Sequence, residues 1–362
     1  MRFGTWARMR PRRIVMLTPY TDPVRGGISS YTRELAAAYA RAGTTCVGFA
    51  AEGEDNPHFT VIRDFKPLFC ARALMRLLKS QPDLIHAHSQ HWYVLLTGAA
   101  GKILRPSASL IVTLHTPVET SRGPLIDGFV KFLLRLSDGA IFVSKAMKHS
   151  LRLPASIRQG VIVAAPEQSA MSLPPKFDEK ATTPTIVFAG PLVWSQKVAG
   201  VLLLVDAFAR VSPSYPEWRL TILGDGPLRG IVEQRVRDRG LSEKIVIGGF
   251  VNDVFEEIAR AAIYAQISLQ EGLPLALLDA MALGTAVIAT TVGGIPEVVR
   301  HNETGYLVEP EREAIAAGLH QLMGNERLRR ALAMAAKKYV STELSWDKVA
   351  HEYLRFVSEG VL

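Results

Sequence analysis

Short apolar runs alternate with segments of helical periodicity along almost the whole chain, and this alternation restricts the fold more than any other feature. In the first half, the apolar runs lie at 13–18, 46–50, 83–88, 110–115 and 139–144. They are almost continuously apolar, which is typical of strands buried on both faces of a parallel sheet. We therefore predict an α/β domain in which helices cover both faces of a doubly wound sheet.

A segment at 166–184 interrupts the alternation. It is rich in Pro, Ser, Thr and charged residues and has no apolar periodicity, so it is predicted to be a linker. The alternation then resumes, with apolar runs at 185–190, 219–224, 244–249, 262–269 and 285–290. This pattern predicts two Rossmann-like domains that face each other across a cleft, where ligands bind beyond the carboxyl ends of the strands.

The predicted boundaries are a first domain at 1–165, the linker at 166–184, a second domain at 185–340 and a C-terminal helix at 341–362 that packs back toward the first domain. A chain of 362 residues suits two domains of average size. No stretch of eighteen or more uncharged apolar residues is present, so no membrane-spanning helix is predicted. Cys46 and Cys70 lie in apolar surroundings, which favours reduced thiols in a cytoplasmic protein.

Charge is concentrated in the first half of the chain. Residues 1–180 carry 24 Lys and Arg side chains against 13 Asp and Glu. This excess predicts an anionic partner for the first domain. Nucleic acid is disfavoured because the basic residues are scattered and lack interleaved aromatic side chains. An anionic membrane surface on the cytoplasmic side, contacted by Phe3, Trp6 and nearby arginines, is one interpretation, and an ordinary solvated basic surface is the other.

The sequence SLQEGLPLALLDAMALG at 268–284 is the segment that most clearly suggests chemistry. A strand ends before Glu271, and a helix begins near Pro274, so Glu271 lies beside free backbone N–H groups that attract phosphate. Asp279 falls on an otherwise apolar helix face and must be hydrogen-bonded there. Two carboxylates beside such a helix end suit the binding of sugar and ribose hydroxyls. A solvated loop glutamate and a helix-dipole aspartate would show the same spacing.

This segment resembles the E-x7-E signature of the family-four retaining glycosyltransferases, which have the GT-B fold. Further landmarks of that family follow in the same order along nearly the whole chain. They are PVRGGISSY at 23–31, DLIHAH at 83–88, IVTLH at 111–115, SDGAIFVS at 137–144, LGDGP at 223–227, TVGGIPE at 291–297 and GYLV at 305–308. Their order and spacing together make the resemblance specific.

The resemblance implies transfer of a hexosyl unit, with retention of anomeric configuration, from a UDP- or GDP-sugar to a glycan or lipid-linked acceptor. Cell-surface polysaccharide or glycolipid synthesis is the implied setting. No separate cofactor is implied, and no metal either, since the sequence contains no D-x-D motif and no His/Cys cluster with the spacing of metal ligands.

The same resemblance assigns three catalytic residues. Glu271 would hold hydroxyls of the transferred sugar, and His115 would contact the donor sugar. Lys197, which is expected in the loop after the apolar run at 185–190, would neutralise the leaving diphosphate. Gly26 and Gly27 would let backbone N–H groups approach the donor, and Asp279 would contact the ribose. The implied donor-binding set is Gly26, Gly27, Gly190, Gly272, Leu273, Pro274, Leu275 and Asp279.

Several positions depart from the family pattern. Pro191 replaces an arginine that would bind phosphate, Lys197 lies one residue late and is followed by Val198, and Asp279 replaces a glutamate. Residues 163–166 also replace the usual Asn-Gly turn. One alternative is therefore a GT-B protein that binds a nucleotide or glycan without catalysis, and another is a nucleotide-sugar epimerase or phosphorylase. The sequence GDGPLRG at 224–230 lies outside the first βαβ unit, which disfavours an NAD enzyme.

Overall fold

The computed structural model describes residues 11–22, 26–89, 91–116, 124–151, 153–174, 176, 184–251 and 253–359. The chain forms two compact units, one comprising Met1–Ala164 with Trp346–Leu362 and the other Ala165–Ser345. The predicted contact residues Phe3 and Trp6 lie outside the described residues.

The first unit contains a seven-stranded parallel sheet whose strands are ordered β3-β2-β1-β4-β5-β6-β7. The central strands β4 and β5 are fully buried, and β1 is buried except at its two end residues, as their apolar sequences predict. The elements, numbered along the chain, are β1 (Arg13–Tyr20), α1 (Gly27–Arg41), β2 (Thr45–Glu52), β3 (Phe59–Val61), α2 (Lys66–Ser80), β4 (Leu84–His88), α3 (Trp92–Leu104), β5 (Ser109–Leu114), α4 (Pro124–Leu134), β6 (Gly139–Phe142), α5 (Lys145–Ser150) and β7 (Arg158–Val161).

The second unit contains a six-stranded parallel sheet with the strand order β10-β9-β8-β11-β12-β13. Its core includes the buried side chains of Phe188, Phe208, Trp218 and Ile222. The elements are α6 (Gln168–Ser172), β8 (Thr185–Ala189), α7 (Ser195–Val211), β9 (Arg219–Leu223), α8 (Arg229–Asp238), β10 (Ile245–Gly249), α9 (Val254–Arg260), β11 (Ile263–Gln266), α10 (Leu275–Ala282), β12 (Ala286–Thr290), α11 (Ile295–Val298), β13 (Tyr306–Val308), α12 (Arg312–Gly324) and α13 (Glu326–Glu343).

The last helix, α14 (Trp346–Glu359), packs against α1 in the first unit. The Tyr353 hydroxyl lies 2.8 Å from that of Tyr31 and 2.9 Å from Oγ1 of Thr113 on β5. Trp346 presents its ring edge-on to Tyr31 at a centroid distance of 4.9 Å. These buried contacts join the end of the chain to the first sheet.

Part of the segment predicted to be a linker is folded. Residues 168–172 form α6, which packs against α10 and buries Ala170. A helix of five residues is too short to show periodicity in the sequence. The strands β3, β7 and β13 also escaped prediction. Each lies at a sheet edge, is only three or four residues long and has at most one buried residue.

Candidate active site

The strand order of each sheet marks one point where ligands are expected to bind. In both sheets the order reverses beside the first strand of the unit, between β1 and β4 and between β8 and β11. Open α/β sheets bind ligands beyond the carboxyl ends of the strands at such a switch point. In the second unit Gly190 follows β8 directly and Glu271 lies in the loop after β11. Two predicted site residues therefore flank the second switch point.

Lys197 and Glu271 form an ion pair at this position. The ammonium nitrogen of Lys197 lies 3.1 Å from Oε1 of Glu271, and both side chains are largely buried. The sequence was interpreted as placing Lys197 in a loop, but it is the third residue of α7. The interpretation was wrong because the family landmark fixes a spacing along the chain and not the start of the helix.

Two further side chains hold the same carboxylate oxygen. Ser268 donates its hydroxyl to Glu271 Oε1 at 2.8 Å, and Gln266 donates its amide Nε2–H at 3.1 Å. The Tyr264 hydroxyl in turn donates to Oε1 of Gln266 at 2.9 Å. These supporting residues were not predicted from the sequence. The available signal was a glutamine and a serine at the carboxyl end of an otherwise apolar run.

Two glycines set the position of this loop and of α7. Gly293 has φ of +55°, and a Cβ there would lie 2.0 Å from the carbonyl oxygen of Glu271, so only glycine fits. A Cβ on Gly200 would lie 2.2 Å from the carbonyl oxygen of Ile267, which shows how closely α7 approaches the end of β11. This close approach brings Lys197 within reach of Glu271.

The loop after Glu271 leads into α10 as the sequence predicts. Gly272, Leu273 and Pro274 precede the helix, Pro274 occupies its N-cap position, and Leu275 is its first residue. The carbonyl of Gly272 accepts a hydrogen bond from the N–H of Gly294 at 2.8 Å. The loop is therefore tied to the glycine turn at 293–294.

Asp279 is buried on α10, and its carboxylate has an internal partner. Its Oδ1 accepts the backbone N–H of Glu167 at 2.8 Å. This bond satisfies part of the requirement of a buried carboxylate. It also fixes the chain where it enters the second unit. The predicted contact with a ribose stays a prediction.

Gly190 is constrained by its surroundings. Its N–H donates to the carbonyl of Leu223 at 2.9 Å. A Cβ at this position would lie 3.2 Å from the ring of Phe188 and 3.8 Å from Cδ of Lys197. The glycine thus lies beside the lysine stem, and Pro191 follows it.

In the first unit, His115 directly follows β5 at the carboxyl edge of the sheet. Its Nε2 lies 3.2 Å from Nδ1 of His88, and its ring contacts Tyr31 edge-on at 4.6 Å. Burial lowers the pKa of His115 to about 3, so its imidazole is neutral near pH 7. A neutral imidazole can exchange hydrogen bonds with a sugar hydroxyl but adds no positive charge.

His86 and His88 are fully buried, and burial holds the pKa of each well below the ordinary histidine value. His86 is hydrogen-bonded on both nitrogens, to Tyr39 at 3.2 Å and to Thr113 at 2.8 Å. His88 Nε2 has no partner among the described residues. Both histidines therefore form part of the core beneath His115.

Gly26 and Gly27 form the N-terminal end of α1, as predicted. A Cβ added to either would meet no atom within 4 Å. Packing therefore does not require glycine at these positions. Among the residues that the structure describes, nothing fills the space next to these two glycines, as a ligand contact by the backbone would require.

Within the part of the chain that the structure describes, no three His, Cys, Asp or Glu side chains cluster as metal ligands would. Among the same residues, no helix combines the length and apolar character needed to cross a membrane.

Two known families match consecutive parts of the chain. "Glycosyltransferase Family 4" matches residues 25–163, and "Glycosyl transferases group 1" matches residues 183–325. The chain is 26% identical over 282 residues to N-acetyl-alpha-D-glucosaminyl L-malate synthase of Bacillus anthracis, covering 75% of this chain and 73% of that protein. It is 27% identical to D-inositol 3-phosphate glycosyltransferase of Jonesia denitrificans, covering 94% of this chain and 95% of that protein.

A solved structure extends the likeness to the fold. The structure of HepE from Anabaena, in complex with UDP and glucose, has a TM-score of 0.82 to this chain at 18% sequence identity. The alignment covers 96% of this chain and 100% of that chain. The two doubly wound units are thus those of the GT-B fold, and the chain belongs to the family-four, group 1 glycosyltransferases.

Proposed function

We propose that this glycosyltransferase moves a hexosyl unit from a UDP- or GDP-sugar to a glycan or lipid-linked acceptor, with retention of configuration and without a metal ion. The observation that carries the proposal is the Lys197–Glu271 pair at the switch point of the second sheet. UDP is the first nucleotide to test, because the similar HepE structure is a complex with UDP.

The residues divide the work by charge. The Lys197 ammonium exchanges Glu271 for the leaving diphosphate and neutralises its developing charge, and the N–H groups at the start of α10 assist. Glu271 then accepts hydrogen bonds from hydroxyls of the transferred sugar, while Asp279 contacts the ribose. His115, as a neutral imidazole, contacts a sugar hydroxyl.

The bond changes follow from this arrangement. The bond from the anomeric carbon to the diphosphate oxygen breaks, and a bond to the acceptor oxygen forms on the same face of the sugar. The acceptor proton passes to the departing diphosphate oxygen. No dedicated nucleophile is required from the protein.

Single-turnover assays of Lys197→Ala and Glu271→Ala test the proposal. Removing one preorganised charge or donor from a transition state typically slows turnover by about 100- to 1,000-fold. Lys338→Ala, which removes an exposed lysine on α13, is the matched control. Unchanged rates in both site variants would refute the assignment, and NMR of the product anomer tests retention.

Pro191 supports the alternative of a protein that binds a nucleotide-sugar without catalysis, because it replaces an arginine expected to bind phosphate in this family. Calorimetry with UDP, GDP and their sugars separates the two functions. Tight binding of a nucleotide-sugar with neither transfer nor donor hydrolysis would establish a binding protein.

We also propose that the first unit rests on an anionic membrane surface through α4. The helix presents large apolar side chains to solvent, with Leu125 88%, Phe132 53% and Phe129 41% exposed. Lys131 on the same helix and Arg135 directly after its end are also exposed. An apolar face flanked by basic side chains is the pattern of a helix lying in a membrane interface.

Sedimentation with phosphatidylglycerol vesicles at low salt tests this contact. Phe129→Ser with Phe132→Ser should abolish binding by removing apolar burial. Lys131→Glu with Arg135→Glu should weaken it, since each basic residue contributes about 1 kcal/mol. Met334→Ser is the control, because Met334 is 60% exposed but lies on α13 in the second unit. Failure of the wild-type protein to sediment with the vesicles would contradict the proposal.

A further inference from the structure

Gln266 is a buried amide at the carboxyl end of β11, where its neighbours along the strand are apolar. It is 1% exposed, and Ala265 and Ile267 beside it are fully buried. A buried amide is costly unless its polar atoms are hydrogen-bonded. Its contacts therefore indicate what the side chain does.

The orientation of this amide is determined by its partners. The carbonyl oxygen accepts the Tyr264 hydroxyl at 2.9 Å, and Nε2 donates to Ser268 Oγ at 3.0 Å and to Glu271 Oε1 at 3.1 Å. An ionised carboxylate can only accept hydrogen bonds, so the NH2 group must face Glu271. The reversed amide would place two acceptor oxygens against each other.

Glu271 Oε1 consequently accepts hydrogen bonds from Ser268 and Gln266 and forms the ion pair with Lys197. No hydrogen bond reaches Oε2 of Glu271 among the described residues. The carboxylate is held by one oxygen, and the other is left for a ligand.

We propose that Gln266 is a positioning residue that presents Oε2 of Glu271 to a hydroxyl of the transferred sugar. This inference rests on the proposed function, in which Lys197 leaves Glu271 for the diphosphate. Once Lys197 has turned away, Gln266 and Ser268 are the side chains that still hold Oε1. Gln266 therefore keeps the carboxylate in place during the step in which it is used.

Gln266→Leu keeps a similar volume and removes both donors, and Tyr264→Phe removes the hydroxyl that orients the amide. The probe is whichever of UDP-glucose, UDP-N-acetylglucosamine and GDP-mannose the wild-type protein binds more tightly than the free nucleotide. Gln266→Leu should weaken binding of this nucleotide-sugar by about tenfold, the usual effect of one hydrogen bond to a charged group. Binding of UDP or GDP alone should stay unchanged, because neither has the sugar. Tyr264→Phe should show the same pattern with a smaller effect.

A double-variant cycle separates positioning from simple structural support. If Gln266 acts through Glu271, Gln266→Leu should add nothing to the loss already caused by Glu271→Ala. Additive losses, or equal weakening of nucleotide and nucleotide-sugar, would show that Gln266 only supports the fold. Gln321→Leu, which replaces an exposed glutamine on α12, is the matched glutamine control.

The failure of this inference is distinguishable from that of the proposed function. If the wild-type protein binds none of the three nucleotide-sugars, the proposed function fails and the inference fails with it. The same holds if Glu271→Ala leaves both nucleotide-sugar binding and turnover unchanged. If Glu271→Ala has its effect while Gln266→Leu and Tyr264→Phe bind the nucleotide-sugar normally, only the positioning role is refuted.

Discussion

Replacing Gly293 by alanine should damage both the stability of the second unit and the geometry of Glu271. The φ of +55° disfavours any residue with a Cβ by about 1–2 kcal/mol. The new methyl carbon would also lie 2.0 Å from the Glu271 carbonyl oxygen. A backbone atom cannot rotate away as a side chain can, so the loop must shift, at about 1–3 kcal/mol for overpacking. The total is about 2–5 kcal/mol.

Gly240→Ala is the matched control for this prediction. Gly240 has φ of +66°, but its Cβ would meet no atom within 4 Å, so the variant carries the backbone cost alone. For a unit of this size, 1 kcal/mol lowers the melting temperature by about 2–4 °C. A shift of about 1 Å in a catalytic group slows turnover by about 100-fold. Thermal unfolding and single-turnover rates should therefore separate the two variants. Equal melting temperatures and equal rates would refute the role given to Gly293.

Three further predictions concern the buried polar groups. Burial lowers the pKa of His86, His88 and His115, so below about pH 6.5 the unfolded chain binds protons that the folded first unit does not. Its stability should be complete above that pH and fall as the pH is lowered, with His115 contributing about 1.4 kcal/mol per pH unit down to about pH 3, and pH-independent urea unfolding would contradict this. Tyr353→Phe removes a hydroxyl placed within hydrogen-bond distance of two buried hydroxyls and should cost about 1–3 kcal/mol, with faster hydrogen exchange in α14, whereas unchanged exchange would argue against it. Asp279→Glu, which restores the residue usual in this family, should lower stability by about 1–3 kcal/mol through overpacking and not raise turnover, and a rise in turnover would show that reach limits the aspartate.

The sheet interiors were predictable because their strands are buried on both faces. Runs such as 13–18 and 285–290 consist almost wholly of apolar residues, and both became central or well-covered strands. The edge strand β7 carries no such signature, because all four of its residues are only partly buried. Burial on both faces of the sheet gives a strand the continuous apolar sequence from which it can be predicted.

The apolar face of α4 shows a limit of the same reasoning. Leu125, Phe129 and Phe132 recur at helical spacing, which normally marks the face toward the core. Val130, Leu133 and Leu134 form a second apolar face on the same helix, and these three side chains are the buried ones. A helix apolar on two faces does not reveal from its sequence which face packs inward.

The sequence showed the Glu271–Asp279 pair, and the family resemblance assigned Glu271 to the sugar and Asp279 to the ribose, but neither showed how each carboxylate is held. The spacing alone treats them as equivalent acceptors beside a helix end. Glu271 is held by three side chains, those of Lys197, Gln266 and Ser268. Asp279 instead accepts the main-chain N–H of Glu167. A side chain can leave its partner when a ligand arrives, whereas a main-chain N–H at a chain entry cannot do so without moving the backbone. The contacts of Glu271 can therefore change during a reaction, whereas the contact of Asp279 mainly stabilises the fold. This asymmetry is why the glutamate is the more informative residue to mutate for function and the aspartate for stability.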